Sequence, residues 1–253
     1  SQRNDSGLRE KVKNTINKIP PPSDDIDYDV TYRISGRFNF DTKFNSKVVF
    51  VFATSEYKNE LIKSDYINGE PIQLSKEENF FIHTPSNWSK KSFLAAGFRE
   101  DQVIVVPHGV DVETFNLISE SEKKNIRDKY KLKSEDYILT NIGAMTQNKG
   151  VEDLIAAYGI LKKKNKNLKL ILKDQSNLYD RGANNPIKNM HKSKFNQKYK
   201  IFNDQMYKDM IIISENLNFR EIRNIYSITD CYVSPYKAEG FNLTPLEAAA
   251  CGT

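Results

Sequence analysis

The chain contains 253 residues, of which 38% are hydrophobic and 28% carry a charge. This length suits one or two domains with sizeable cores, and the composition excludes an intrinsically disordered chain. The net charge of +5 comes from basic residues that are spread along the chain, which is typical of a lysine-rich surface. A partner that carries phosphates, either a nucleotide or an anionic membrane, would also fit this charge.

Cysteine content and hydropathy exclude further classes of protein. The two cysteines, Cys231 and Cys251, have no histidine near them in the sequence. They argue against a disulfide framework or a zinc site and predict a reducing, cytoplasmic location. The apolar runs are too short to span a bilayer, and no signal peptide is visible. The chain begins with Ser and stops just after a helix, so both ends are expected to be truncated.

The first part of the chain has the pattern of a parallel α/β domain, which we place at residues 1–116. A short amphipathic helix is predicted within residues 8–19 and a helical segment within residues 55–63. Strands are predicted from residue composition around Val30–Ile34, at 47–56, before Ser86 and at 103–107. Ser86 should cap a helix that packs through Trp88, Phe93, Leu94 and Phe98. The order strand–helix–strand predicts a doubly wound sheet.

An acidic run precedes the first of these strands. Asp25, Asp27 and Asp29 form near-adjacent carboxylate pairs, which could bind Mg²⁺ or Mn²⁺. A solvated acidic turn explains them as well, and we favour the turn because such pairs are common. We therefore predict no metal site.

The second part, residues 117–253, predicts another α/β domain. Ser119 should cap a charged helix, and a strand at 137–142 leads through the loop 143–150 into a helix that begins at Val151. A helix N-terminus presents unpaired N–H groups and the positive end of the dipole, so Lys149 lies beside a natural phosphate site. Lys149 could instead be a surface charge, but the strand–loop–helix context favours contact with a diphosphate.

A polar segment, residues 174–209, follows the next strand and is predicted to be a solvated surface insertion. Its aromatic residues among lysines could suit nucleic acid, but we expect no nucleic-acid partner. The pattern then returns to strand, helix and strand, and the helix places Phe219, Ile222, Ile225 and Tyr226 at packing positions.

The last stretch, YKAEGFNLTPLEAAACGT at residues 236–253, carries the most information. Gly240 suits a sharp turn or a close backbone approach. Thr244 as N-cap and Glu247 at the third helical position form a capping box, and Gly252 can end the helix. The capping box does not explain Glu239, a carboxylate just before the glycine. Two carboxylates would repel a bare phosphate at this helix start, but they suit a ligand with hydroxyls on both sides of its phosphates, such as a nucleotide sugar.

The segment EGFNLTPLEAAACG resembles the E-x(7)-E signature of the retaining glycosyltransferases of family 4, which usually reads EGFGLTPLEAMACG. The resemblance implies the α/β GT-B fold, in which two Rossmann-like domains face a cleft, and both domains would be incomplete here. Residues 1–116 would form the acceptor side and residues 117–253 the nucleotide-sugar side. Asn242 stands where Gly is commoner, and Asn tolerates a left-handed backbone.

The resemblance also implies roles for the signature residues. Glu239 would lie by the donor sugar as a catalytic residue, and Glu247 would hold the ribose hydroxyls. The backbone between them would contact sugar and phosphate, and it comprises Gly240, Phe241, Asn242, Leu243 and Thr244.

Other donor contacts are implied outside the signature. The loop that starts at Gly143 usually reads GRLxxxKG, and Lys149 is its catalytic, diphosphate-binding lysine. Ala144 stands where the family carries Arg, which leaves one cation fewer for the leaving group. Asn216 and Leu217 would lie near the base.

The segment VIVVPHGVDVETF resembles the link between the two domains, commonly PNGVD, and places His108 and Gly109 near the cleft. His108 could be a catalytic acid or base, but we favour a loop residue because no partner stands near it in the sequence.

These features predict metal-independent transfer of a sugar from a UDP- or GDP-sugar to a glycan, lipid or protein acceptor, with retention of configuration and no cofactor. One alternative is a degenerate chain that binds a nucleotide sugar without turnover, which Ala144 favours. Another is a sugar epimerase or phosphorylase with the same fold. The sequence is compatible with peripheral contact between the protein and a membrane.

Overall fold

The computed structural model describes residues 10–20, 23, 25–34, 40, 46–57, 71–176 and 182–253. Most of the helix predicted within residues 55–63 lies outside the described residues. The chain divides into two compact units. The N-unit contains Lys11–Gly109 and Ala238–Asn242, and the C-unit contains Val110–Lys237 and Leu243–Thr253.

The N-unit is built on a parallel sheet, as the sequence predicts. Its described strands, in the spatial order β1-β2-β3-β4, are β1 (Tyr28–Ile34), β2 (Ser46–Phe52), β3 (Phe80–Thr84) and β4 (Val103–Val105). The described helices in this part of the chain are α1 (Glu10–Ile16), α2 (Pro71–Leu74) and α3 (Asn87–Ala95). Parallel strands need helical crossovers, so this order follows the strand–helix–strand pattern of the sequence.

Helix α3 begins and packs largely as predicted. The Ser86 hydroxyl accepts a hydrogen bond from the Ser89 amide at 3.1 Å, and Phe93 and Phe98 are buried in the core. The prediction that Trp88 packs in this core is wrong, because its side chain is exposed and its indole N–H donates to the Glu56 carbonyl at 3.0 Å.

The C-unit contains a second parallel sheet, in the spatial order β7-β6-β5-β8. Its described strands are β5 (Tyr137–Ile142), β6 (Leu168–Lys173), β7 (Met210–Ile213) and β8 (Cys231–Tyr232). Its described helices are α4 (Glu120–Lys129), α5 (Val151–Lys164), α6 (Asn184–Lys192), α7 (Lys194–Tyr199), α8 (Asp204–Lys208), α9 (Phe219–Ser227) and α10 (Leu243–Ala250).

The C-unit sheet buries both of its faces, as a doubly wound sheet does. Leu170 and Leu172 of β6 belong to a cluster with residues of α5 and α6. Ile171, which points to the other face because side chains alternate along a strand, packs in a cluster with Tyr226 of α9 and Ala248 of α10.

The segment 174–209 is not the solvated excursion that its polarity predicts. Ile187 and Met190 of α6, Phe202 before α8 and Met206 of α8 are all buried in the cluster that also contains α5 residues. The prediction failed because α6 is amphipathic, so its few apolar residues share one face although its composition is polar.

No helix in the described ranges combines the length and apolarity that a membrane span requires.

Candidate functional site

In the C-unit, the loop between β5 and α5 leaves the carboxyl end of the sheet. The Gly143 amide donates to the Lys173 carbonyl at 3.1 Å, which continues the pairing of β5 with β6. Lys149 closes a 3-10 turn, and Gly150 then has a φ of +62°. A Cβ on Gly150 would lie 2.1 Å from the Pro235 carbonyl oxygen, so only glycine lets α5 begin against this backbone.

Tyr236 holds Lys149 beside the end of β5. The Tyr236 hydroxyl donates to the Ile142 carbonyl at 3.1 Å, and the Lys149 Nζ lies 4.4 Å from the centre of the Tyr236 ring. This cation–π contact places the Lys149 ammonium at the carboxyl edge of the sheet. The backbone supports the arrangement, since the Lys237 amide donates to the Asn148 carbonyl at 2.7 Å.

Tyr232 connects the same carbonyl to the start of α10. Its hydroxyl donates to the Ile142 carbonyl at 3.1 Å and shares a hydrogen bond with the Thr244 side chain. Burial raises the pKa of Tyr232, so this phenol stays protonated and remains a donor. The hydroxyls of Tyr232 and Tyr236 therefore meet at one carbonyl of β5, and they connect it to Thr244 and Lys149, respectively.

Helix α10 begins two residues earlier than predicted and lacks the predicted capping arrangement. It starts at Leu243, so Thr244 lies inside the first turn and is not the N-cap. Glu247 accepts a hydrogen bond from the Tyr226 hydroxyl of α9 at 2.9 Å. The prediction of a Thr244–Glu247 capping box is wrong because Thr244 lies inside the helix and does not precede it. Gly252, with a φ of +86°, follows the helix end as predicted.

The environment of Glu247 is partly apolar. Burial raises the pKa of this carboxyl above its ordinary value, and the hydrogen bond from Tyr226 offsets part of that rise. Its carboxylate can accept further hydrogen bonds beside the one from Tyr226.

In the N-unit, residues 238–242 lie at the carboxyl edge of the other sheet. A Cβ on Gly240 would come within 2.0 Å of Thr54 Cγ2 and 3.3 Å of the Ser55 carbonyl oxygen. The Ser86 hydroxyl donates to the Gly240 carbonyl. Thr54 and Ser55 follow β2, and Ser86 follows β3, so the backbone of Gly240 lies against the ends of these strands. The close backbone approach that the sequence predicts at Gly240 is present.

His108, after β4, lies against the same segment. Its ring centre is 5.1 Å from that of Phe241, with the two planes perpendicular, and 5.4 Å from that of Phe52. Partial burial, together with the charge of His83, lowers the pKa of His108 below its ordinary value. The imidazole is therefore neutral near pH 7 and can accept or donate a proton.

The structure divides the predicted site residues between the two units. The C-unit brings together Gly143, Lys149, Thr244 and Glu247, and the N-unit brings together Gly240, Phe241 and His108. Glu239 is half-buried beside the buried Ala238. The other predicted residues are placed as follows: Ala144 is buried, Leu217 and Asn242 are half-buried, and Gly109, Asn216 and Leu243 are exposed.

Sequence reasoning missed the three tyrosines that organise the C-unit site, Tyr226, Tyr232 and Tyr236. A signal for them existed, because Tyr232 and Tyr236 flank the strand end that precedes the signature. A buried phenol needs a hydrogen-bond partner, and the end of a neighbouring strand offers one.

The acidic run is a turn only in part, since Asp25 lies in a turn whereas Asp29 lies within β1. Asp29 forms an ion pair with Lys47 at 2.7 Å, on the exposed surface. Within the described part of the chain, no cluster of three or more His, Cys, Asp or Glu side chains is arranged to hold a metal ion.

Comparison with known proteins identifies both a family and a fold. The family described as "Glycosyl transferases group 1" matches residues 122–253. No curated protein matches the chain.

Solved structures share the fold at low identity. Alr3699/HepE from Anabaena, in complex with UDP-glucose, aligns with a TM-score of 0.60 and 15% identity over 81% of this chain and 52% of that one. WaaG, a glycosyltransferase involved in lipopolysaccharide biosynthesis, aligns with a TM-score of 0.57 and 14% identity over 85% and 56%. The chain thus spans about half the length of these proteins. The predicted α/β GT-B fold is confirmed.

Proposed function

The chain belongs to the glycosyl transferases group 1 family, and from this premise we propose that it transfers a sugar from a nucleotide-diphosphate sugar to an acceptor with retention of configuration. The donor is a UDP- or GDP-sugar, and the reaction needs no metal. The UDP-glucose in the Alr3699/HepE structure supports a donor of this class. The E-x(7)-E signature supports membership of the retaining family 4.

The observation that carries the proposal is that Lys149 and the start of α10 are connected through two tyrosines. Tyr236 contacts Lys149, Tyr232 bonds Thr244, and both tyrosine hydroxyls donate to the Ile142 carbonyl. When the bond between the anomeric carbon and the diphosphate breaks, the departing phosphate oxygen takes the electron pair and gains negative charge. An ammonium and the free amides of a helix start, both fixed before the reaction, stabilise that charge at little cost of reorganisation. Lys149, the backbone of Gly143 and Ala144 and the first turn at Leu243 and Thr244 therefore bind the diphosphate.

The acidic residues then bind the two ends of the donor. Glu247, held by Tyr226, accepts hydrogen bonds from the ribose hydroxyls. Glu239 orients the sugar beside the backbone of Gly240, Phe241 and Asn242. Asn216 and Leu217, after β7, contact the base.

The acceptor side is assigned to residues 1–116, with His108 and Gly109 near the acceptor, and the donor side to residues 117–253. The acceptor is a glycan, a lipid or a protein and not a nucleic acid. The proposed location is the cytoplasm, with peripheral contact to a membrane if the acceptor is a lipid.

The test is turnover of a panel of UDP- and GDP-sugars with glycan and lipid acceptors, in the presence of EDTA. We expect product with the donor's anomeric configuration, read by NMR. Glu239→Gln should lower kcat about 100-fold or more, since it removes a contact to the reacting sugar. The exposed Glu135→Gln serves as the matched control and should leave turnover unchanged. An inverted product, or full activity of Glu239→Gln, would contradict the assignment.

A second candidate, binding without turnover, is favoured by one observation. Ala144 is buried at the position where the signature loop of the family carries Arg, so one cation for the leaving group is missing. Donor binding that is measurable by calorimetry, combined with no turnover for any acceptor or for water, would select this candidate.

A further inference from the structure

Two lysines, Lys162 of α5 and Lys173 of β6, are buried in the described part of the C-unit, and their ammonium groups lie at opposite ends of β6. Lys162 is 8% exposed and Lys173 is 5% exposed. The Lys162 ammonium, near the amino end of the strand, has three acceptors: the carbonyls of Lys166 and Leu168 at 2.6 and 2.8 Å, and the Asp209 carboxylate at 3.1 Å. Its three N–H donors are therefore satisfied, and its burial is explained by structure alone.

Lys173, at the carboxyl end of β6, has fewer hydrogen-bond acceptors for its ammonium. Among the described residues, its ammonium donates to a single acceptor, the Asp174 carbonyl. The Asp174 carboxylate bonds other groups, namely the Ala183 amide at 2.9 Å and the Ser214 hydroxyl at 2.8 Å. Burial lowers the pKa of Lys173, although the charges of Asp174 and Glu215 act in the opposite direction. A buried ammonium with spare donors is costly unless an anion completes its shell.

The position of Lys173 suits a ligand of the proposed site. It pairs in register with Ile142 of β5, and its carbonyl accepts from the Gly143 amide. Ligands of parallel α/β sheets bind outside the carboxyl ends of the strands. Alternation along β6 puts Lys173 on the same face as Ile171, which packs in the cluster that contains residues of α9 and α10. This is the face on which Tyr226 and Glu247 meet.

We propose that the Lys173 ammonium binds a phosphate oxygen of the donor's nucleoside diphosphate and thereby supplies the cation that Ala144 does not. The inference rests on the proposed function, because it assigns a further residue to the same donor site. Phosphate oxygens can accept the N–H groups that Lys173 does not donate to Asp174 or to other described residues, and the low dielectric of the buried position strengthens that contact.

The experiment compares Lys173→Met with Lys162→Met in the 253-residue chain. Calorimetry measures the Kd of UDP, GDP, uridine and guanosine for each variant. Lys173→Met should weaken binding of the diphosphate about 10- to 100-fold and binding of the nucleoside less than about 2-fold. Lys162→Met should keep the diphosphate Kd within about 2-fold while lowering Tm, because the two carbonyls lose their donor.

The outcomes separate the inference from the proposed function. If the wild-type chain binds UDP or GDP and Lys173→Met binds it equally well, the inference is overturned and the function stands. An equal loss for uridine and UDP would also overturn it, since the contact would not be to phosphate. Failure of the wild-type chain to bind either diphosphate would overturn both. Should Lys173→Met fold poorly, Lys173→Arg keeps the charge, and it should retain diphosphate affinity better than Lys173→Gln.

Discussion

Asn242 shows how one residue can fit a motif that usually carries glycine. Its φ is +67°, in the left-handed region, and it directly precedes the first residue of α10. Asn adopts this conformation at lower cost than other residues because its short polar side chain bonds locally. The structure thus shows at Asn242 the left-handed backbone that Asn tolerates.

Substitutions at Asn242 should therefore separate backbone strain from side-chain contacts. Asn242→Val should destabilise the chain by about 1 to 2 kcal/mol, because a β-branched residue is strained at this φ. Asn242→Gly, the matched control, relieves the strain and should stay within about 0.5 kcal/mol of the wild type. Urea denaturation measures both. Equal stabilities for the Val and Gly variants would show that the left-handed backbone is not required.

A substitution at Gly240 should create a steric clash that a second substitution, at Thr54, relieves. Gly240→Ala places a Cβ 2.0 Å from Thr54 Cγ2, so it should cost about 1 to 3 kcal/mol of stability. Thr54→Ser removes that methyl and keeps the hydroxyl. The double variant should recover most of the loss, since the next nearest atom, the Ser55 carbonyl oxygen, is 3.3 Å away. A double-mutant cycle in urea that shows simple additivity would contradict the contact.

At the scale of elements, α9 and α10 are joined by the hydrogen bond from Tyr226 to Glu247. The raised pKa of Glu247 means that the folded state binds its proton more readily than the unfolded state does. Stability contributed by this group therefore falls as pH rises from the ordinary pKa of Glu through the raised folded pKa.

Glu247→Gln should remove this penalty while keeping an acceptor for Tyr226. We expect its Tm to exceed that of the wild type by about 1 to 3 °C at pH 7.5, and the difference to vanish near pH 4, where both states of the wild type are protonated. Nucleotide affinity should fall in the same variant if Glu247 binds the ribose. A Tm difference that is constant from pH 4 to pH 7.5 would show that ionisation of Glu247 is not responsible.

The elements differ in how far the sequence determines them. Strand β5 matches its prediction because Tyr137–Ile142 has strand composition, with Ile138, Leu139 and Ile142 buried, and a glycine follows it. Helices α6 and α8 were misjudged, since their buried residues, such as Ile187 and Met206, are sparse among lysines and asparagines. The tyrosine contacts depend on pairs such as Ile142 and Tyr232, which are far apart in the chain and meet only when β5 pairs with β8.

At the scale of the molecule, the signature stretch is shared between the units. Residues 238–242 belong to the N-unit and the flanking residues to the C-unit, so one continuous motif contributes to both. This sharing could not be predicted, because a motif read along the chain carries no information about which sheet edge each residue meets. A substitution at Gly240 should therefore change the stability of the N-unit, whereas a substitution at Glu247 should change the stability of the C-unit.

A comparison of two lysines can separate specific binding of the nucleoside diphosphate from the nonspecific attraction of anions by the net positive charge. With a net charge of +5, the chain attracts any anion weakly, and salt screens such attraction. Lys237, which forms an exposed ion pair with Asp153 at 3.0 Å, is a matched control for Lys149, which lies over Tyr236. Lys149→Gln should weaken UDP or GDP binding about 10-fold or more at both 0.05 M and 0.5 M salt, whereas Lys237→Gln should change it less than about 2-fold and only at low salt.

The same titrations decide whether a metal assists these cations. If fixed protein charges alone hold the diphosphate, EDTA should leave the Kd unchanged and Mg²⁺ should not improve it. Lys149→Gln should stay weak in either condition, because the loss is of a protein cation. An affinity that rises more than about 3-fold with Mg²⁺, or a Lys149→Gln variant that Mg²⁺ restores, would mean that a metal ion takes part of the role assigned here to Lys149 and the start of α10.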